Sequence, residues 1–143
     1  MNFTAVMRFV DTNILLYSIS SVPAEAAKAD LARQILRCPD IALSVQVLQE
    51  FYVQATRPSR PDPLTHEEAV ALLCTWRRFP TQDITLSVLE DALTIKARWQ
   101  LSYWDSAIIA AASQTGCTEV LSEDMNHGQT YGGVKVVNPF KSA

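Results

Sequence analysis

Short apolar runs alternate with longer stretches of helical periodicity along this chain, and that alternation constrains the fold more than any other feature. Apolar runs of three or four residues predict buried strands, and the stretches between them carry apolar side chains at helical spacing. Parallel strands need a connection long enough to hold a helix, so this alternation indicates a mainly parallel α/β sheet. The predicted strands span residues 7–10, 41–43, 83–85, 119–121 and 134–137.

Cap residues divide the stretches between the strands into separate helices. A hydroxyl side chain at the start of a helix can accept a hydrogen bond from the backbone, and an acid three residues later completes a capping box. Such signals occur at Ser44, Thr65 with Glu68, Ser87 with Glu90, and Ser102 with Asp105. The predicted helices cover residues 13–19, 24–37, 45–56, 65–78, 86–99 and 107–112.

Size and composition bound the class of protein. A chain of 143 residues, 48% of them hydrophobic, predicts a single domain over residues 1–143 with one core. The net charge of −3 argues against a generally basic surface that grips nucleic acid, although bound metal ions could supply local positive charge. Three cysteines without a C-x-x-C pair favour a reducing cytoplasm, and we expect the cysteines to be buried and the three tryptophans to lie in the core or be half-buried. The N-terminus indicates neither a signal peptide nor a membrane span, and Met7 is an alternative start.

Four acidic residues lie beside apolar runs, where a charged side chain needs an explanation: Asp11, Glu50, Asp105 and Asp124. Asp11 and Asp124 follow predicted strands, and ligand clefts in parallel sheets form beyond the carboxyl ends of the strands. If the fold gathers the four carboxylates, their mutual repulsion favours divalent cations between them. This pattern predicts a metal-dependent enzyme that acts on phosphates.

Each of these acids also has a purely structural explanation. Asp11 and Asp105 can cap helices, and Glu50 can be a solvated residue on a polar helix face. Thr12 is available as an alternative cap, which favours a functional role for Asp11, whereas both explanations stay open for Asp105. Of the adjacent acids Glu123 and Asp124, we expect Asp124 to point inward, with Glu123 as the alternative.

Polar neighbours of these acids are candidates to support them by hydrogen bonds: Thr12, Asn13, Ser122 and Asn126. The two histidines are far apart and match no zinc-binding pattern, so we do not expect zinc. A phosphatase of the haloacid-dehalogenase type would need a second aspartate two residues after Asp11, where this chain has Asn13.

The acidic motifs, taken in order, resemble the PIN-domain nucleases over essentially the whole chain. The resemblance rests on Asp11-Thr12-Asn13 after a strand, Glu50 on a helix, Tyr103-Trp104-Asp105-Ser106, and Leu121-Ser122-Glu123-Asp124-Met125. Within that family the pattern is most similar to the bacterial VapC toxins, the ribonuclease members of toxin–antitoxin pairs.

The resemblance implies a three-layer α/β/α sandwich and a metal-dependent endoribonuclease that hydrolyses RNA phosphodiester bonds. It implies Asp11, Glu50, Asp105 and Asp124 as catalytic residues, with Mg²⁺, or Mn²⁺ in its place, bound by Asp11, Asp105 and Asp124. It also implies three partners: an RNA substrate, a cognate antitoxin and a second copy of the chain in a homodimer. Two alternatives stay open, a PIN-like module that only binds a partner protein and a nuclease for another nucleic acid.

Overall fold

The computed structural model describes residues 7–141, and a six-stranded sheet lies at the centre of this part of the chain. The strand order is β3-β2-β1-β4-β6-β5, and every neighbouring pair is parallel except β5 with β6. The strands are β1 (Arg8–Val10), β2 (Ile41–Ser44), β3 (Thr81–Gln82), β4 (Glu119–Leu121), β5 (Thr130–Tyr131) and β6 (Val134–Val137). The predicted mainly parallel sheet is confirmed. Residues 1–6, to which the alternative start at Met7 refers, lie outside the described residues.

Helices cover both faces of the sheet and complete the α/β/α sandwich that the sequence predicts. They are α1 (Thr12–Ser18), α2 (Ala26–Ile35), α3 (Val45–Ala55), α4 (His66–Trp76), α5 (Leu86–Trp99) and α6 (Tyr103–Gln114). The chain moves in one direction from β1 through β2 to β3, so right-handed connections put α1 to α4 on one face. The return from β3 to β4 puts α5 and α6, which pack on each other, on the opposite face.

Two sequence predictions near β3 are wrong, and one side chain explains both. Residues 83–85 are not a strand, because the Thr85 hydroxyl accepts a hydrogen bond from the backbone N–H of Val88 at 3.1 Å and α5 begins directly after it. Ser87 therefore lies inside α5 instead of capping it with Glu90. The capping box of Thr65 with Glu68 is present as predicted.

The hairpin of β5 and β6 was not predicted. Gly132 and Gly133 form its turn with φ angles of 57° and 86°, a left-handed backbone that glycine adopts without strain. The two strands are short, and β5 has only two residues, so alternation in the sequence is too brief to reveal it.

The hydrophobic core lies between the sheet and both helix layers. Phe9 on β1, Phe51 on α3 and Ile109 on α6 are fully buried, so all three layers contribute. Burial of a side chain of this size stabilises a fold by roughly 1.5–3 kcal/mol. The cysteines are unpaired, and Cys117 is buried as expected, but Cys74 is exposed, which corrects that expectation. Within residues 7–141, none of the helices has both the length and the apolar character that crossing a membrane requires.

The strand order creates a crevice next to β1. β2 lies on one side of β1, and the chain reaches it through helices on one face of the sheet. β4 lies on the other side of β1, and the chain reaches it from the helices on the opposite face. Such a change of direction leaves a gap beyond the carboxyl ends of the strands, where ligands bind in open α/β sheets. Asp11 follows β1 there, and Ser122 follows β4.

Candidate metal centre

A cavity of about 150 Å³ opens at this crevice, and all four acids singled out in the sequence line it. Asp11 comes from the end of β1, Glu50 from α3, Asp105 from the first turn of α6, and Asp124 from the segment after β4. Thr12 and Asn13 also line the cavity. Its lining contains no lysine or arginine.

Asp11 is the most deeply placed of the four carboxylates, with 7% of the residue exposed. It occupies the cap position of α1, and its Oδ1 accepts a hydrogen bond from the backbone N–H of Thr12 at 2.8 Å. Its Oδ2 accepts from the Ser122 hydroxyl, also at 2.8 Å. Burial, with smaller contributions from the charges of Glu50 and Asp124, raises the pKa of Asp11 to about 6. Asp11 is thus both a cap and a strongly perturbed acid.

Glu50 is held at both of its carboxylate oxygens. The Thr12 hydroxyl donates to Oε2 at 2.7 Å, and Gln46 Nε2 donates to Oε1 at 2.9 Å. The same Gln46 amide reaches the backbone oxygen of Trp104 at 3.4 Å, which links α3 to the start of α6. The sequence reading assigned no role to Gln46, although its position four residues before Glu50 puts both on one helix face.

Asp105 uses its backbone for the cap and leaves its side chain at the cavity. Its N–H donates to the Ser102 hydroxyl at 3.1 Å, which starts α6. The reciprocal bond of a capping box, from the Ser102 backbone to the Asp105 carboxylate, is not formed. Burial raises the pKa of Asp105, and the charges of Asp124 and Glu50 raise it further. The backbone of Asp105 therefore serves the cap of α6 while its carboxylate lines the cavity, so the structural explanation does not exclude a functional one.

The adjacent acids Glu123 and Asp124 point to different partners. Glu123 pairs with Lys28 at 2.5 Å and accepts a hydrogen bond from the Tyr17 hydroxyl, away from the four-acid cavity. Asp124 lines that cavity, and Asn13 Nδ2 donates to its Oδ2 at 3.1 Å. The carboxylate of Asp124, an exposed residue, thus faces the cavity, whereas Glu123 does not line it.

Three of the four predicted supporting residues reach the acids. Thr12 contacts Glu50, Asn13 contacts Asp124, and Ser122 contacts Asp11. Asn126 does not line the cavity, because Met125 turns into the core and carries the chain away from the site. The prediction that Asn126 supports the site is therefore not supported by its position.

The carboxylates concentrate negative charge that no basic side chain of residues 7–141 offsets by an ion pair. As the side chains stand, no three His, Cys, Asp or Glu residues in this part of the chain are arranged tightly enough to hold a metal ion. Hydrogen bonds hold Asp11, Glu50 and Asp124 to separate partners, so joint coordination needs side-chain rotation. The donor set itself consists of hard carboxylate oxygens, which are the ligands that suit Mg²⁺ or Mn²⁺.

Comparison with known proteins places this site in context. The family model described as "PIN domain" matches residues 8–132. A search among curated proteins found no match.

Several solved structures share the fold at low sequence identity. A toxin–antitoxin complex from Klebsiella pneumoniae is 20% identical with a TM-score of 0.68, covering 94% of this chain and 99% of that one. VapC20 from Mycobacterium tuberculosis, a toxin that cleaves the sarcin–ricin loop, is 20% identical with a TM-score of 0.63, covering 82% and 91%. FitAB bound to an IR36 DNA fragment is 20% identical with a TM-score of 0.69, covering 96% and 98%. At these identities the likeness shows the fold alone.

Proposed function

Because the chain belongs to the PIN domain family, we propose that it is a Mg²⁺-dependent endoribonuclease and the toxin member of a type II toxin–antitoxin pair. The observation that carries the proposal is the convergence of Asp11, Glu50, Asp105 and Asp124 on one cavity, to whose lining residues 7–141 contribute no lysine or arginine. Four carboxylates from four separate parts of the chain are costly to gather without a ligand of opposite charge.

Each acid has a distinct task in this proposal. Asp11, Asp105 and Asp124 would hold Mg²⁺, or Mn²⁺ in its place. When bound, such an ion lowers the pKa of a coordinated water and neutralises charge on the phosphate that is attacked. Glu50, held at both oxygens, would orient a water beside the phosphate and accept a proton from it.

The hydrogen-bond partners anchor the carboxylates at the cavity, within a side-chain rotation of a shared ion. Ser122 and the backbone of Thr12 hold Asp11, and Asn13 holds Asp124 from the neighbouring helix. Outer partners of this kind typically change metal affinity or activity by about 10- to 100-fold when removed. Thr12, Asn13 and Ser122 are therefore supporting residues, and Gln46 joins them through Glu50.

The proposed partners follow from the relatives of the same fold. One is described as a toxin–antitoxin complex from Klebsiella pneumoniae, and others are VapBC assemblies from Rickettsia felis and Salmonella typhimurium bound to DNA. By analogy this chain would act in the cytoplasm, form a homodimer and be silenced by a cognate antitoxin, with RNA as the substrate.

The test is incubation of the purified protein with total RNA in Mn²⁺ and, separately, in EDTA, followed by mapping of the cut ends. We expect discrete cuts that need the metal and that Asp11→Asn abolishes. Asp40→Asn is the matched control, since Asp40 is an aspartate paired with Arg8 and does not line the cavity. Cleavage by Asp11→Asn at the wild-type rate would refute the metal-binding role of Asp11. Cleavage of DNA but not of RNA would show that the substrate is DNA.

A further inference from the structure

A second groove adjoins the acidic cavity and has a different chemistry. It encloses about 360 Å³, and its lining includes Glu50, Gln54 and Trp104, which also line the acidic cavity. Gln49 and Arg57 extend it along α3 and past the end of that helix. The two spaces are therefore continuous, and a polymer bound across the carboxylates would continue into this groove.

Trp104 contributes a large exposed aromatic side chain to the lining of this groove. It is 65% exposed, whereas Trp76 is only 4% exposed and packs against Phe51 in the core. This corrects the expectation that the three tryptophans lie in the core or are half-buried. An exposed indole beside a polar cavity has no core to stabilise, and aromatic side chains in such positions commonly contact ligands.

The local structure holds Trp104 in place. Its ring packs edge-on against Tyr103, with centroids 5.1 Å apart and the planes at 81°. Its backbone oxygen accepts the hydrogen bond from Gln46. It also precedes Asp105 in the first turn of α6, so the position of the ring is tied to that of a cavity carboxylate.

The rest of the groove carries groups that suit a nucleotide. Arg57 is exposed, and within residues 7–141 no carboxylate lies within ion-pair distance of its guanidinium. Gln49 and Gln54, both exposed, also line the groove. Arginine binds phosphate, and an amide presents both a donor and an acceptor to the edge of a base.

We propose that this groove binds one unpaired nucleotide of the RNA beside the scissile bond, with its base stacked on Trp104 and a flanking phosphate paired with Arg57. The inference rests on the proposed ribonuclease function and adds a base-stacking surface and a phosphate contact beside the carboxylates. A base in a duplex is stacked within its own helix and cannot lie against a protein ring. An aromatic side chain can stack on any base. Any preference for a particular base would therefore come from the side-chain amides of Gln49 and Gln54.

Binding is measured in EDTA at low ionic strength, so that no metal-dependent cleavage occurs. The probe is a fluorescein-labelled single-stranded RNA of mixed sequence, and the readouts are probe anisotropy and intrinsic tryptophan emission. We expect the RNA to quench part of the emission of the wild-type protein. In Trp104→Phe the quenching should disappear, because Trp76 is buried and the half-buried Trp99 does not line the groove, while the affinity stays within about 3-fold of wild type.

Trp104→Leu separates stacking from simple apolar contact. It should weaken RNA binding by about 5- to 150-fold, which is the effect expected for the loss of one stacked base. Arg57→Gln should weaken binding and flatten its salt dependence, whereas Arg37→Gln, an exposed arginine outside the groove, should not. Leu93→Ala is the matched apolar control, since Leu93 is 52% exposed and does not line the groove.

The outcomes distinguish this inference from the proposed function. Equal RNA affinity in Trp104→Leu and Leu93→Ala would overturn the inference, as would equal affinity for a duplex of the same sequence. If the wild-type protein cuts RNA in Mn²⁺ while either result holds, the nuclease proposal survives and the groove has another use, such as contact with a partner protein. If RNA quenches Trp104 emission but no metal-dependent cleavage occurs, the groove assignment stands and the nuclease proposal fails.

Discussion

Asp11→Asn should stabilise the metal-free protein at neutral pH while abolishing its activity. The pKa of Asp11 is raised from 3.8 to about 6, mainly by burial. Because the folded-state pKa lies above the unfolded value, this group contributes stability below pH 4 that is lost as the pH rises through about 6. The rise in the pKa of Asp11 from 3.8 to about 6 corresponds to about 3 kcal/mol of folding stability that is lost at pH 7.

Asparagine removes that charge but disturbs one hydrogen bond. Asp11 accepts from both Ser122 and the Thr12 backbone, and an amide offers only one acceptor oxygen. One lost bond costs about 1 kcal/mol, which leaves a net gain of about 2 kcal/mol. For a domain of this size that corresponds to a rise in melting temperature of about 6 °C.

The assay is thermal unfolding in EDTA at pH 4.5 and at pH 7.5, followed by circular dichroism. We expect the advantage of Asp11→Asn at pH 7.5 to shrink toward pH 4.5, where the wild-type carboxyl is protonated. Asp40→Asn is the control of opposite sign, because the Arg8 guanidinium lowers the pKa of Asp40 and that pair stabilises the fold above pH 4. A lower or unchanged melting temperature for Asp11→Asn at pH 7.5 would show that the carboxylate is not under electrostatic stress.

The remaining predictions concern neighbouring side chains. Gln46→Ala should lower kcat by about 10- to 100-fold with an unchanged melting temperature, because the Glu50 carboxylate loses the hydrogen bond that holds one of its oxygens. An unchanged kcat would show that Gln46 does not position Glu50. Asp124→Asn should abolish cleavage while Glu123→Gln retains it, as Glu123 is turned toward Lys28; the reverse result would exchange their assignments. Gln100→Gly should raise stability by about 0.5–1 kcal/mol in denaturant unfolding, because Gln100 has a φ of 57°; destabilisation would indicate a side-chain contact that outweighs the strain.

Local patterns predicted most of the fold because the chemistry that fixes it is local. The buried runs became β1, β2, β4 and β6, and the Thr65 capping box marks the start of α4. The sequence pattern predicted the wrong cap for α5. Thr85 and Ser87 both precede apolar residues, and the backbone conformation makes Thr85 the cap. The short β5 carried too few residues to show an alternation.

The sequence identified the four acids that line the cavity, but it did not reveal the partners that orient the side chains. Asp11 and Asp124 could be expected together because parallel strands end at one edge. The orientation of Glu123 depends on Lys28, which is 95 residues away, and no local pattern contains that pairing. The exposure of Trp104 was also hidden, since an aromatic residue before an apolar helix is as consistent with the core as with a cavity rim.

Titration of the purified protein with Mn²⁺ by calorimetry at pH 6 tests most directly whether the gathered carboxylates serve a metal. We expect saturable Mn²⁺ uptake that releases protons, because the pKa of Asp11 is raised to about 6 and the carboxyl is partly protonated at that pH. The proton release is measured as a dependence of the binding heat on the ionisation enthalpy of the buffer. Uptake should vanish in Asp11→Asn and persist in Asp40→Asn. A folded wild-type protein that takes up no Mn²⁺, or takes it up equally well in Asp11→Asn, would contradict the account.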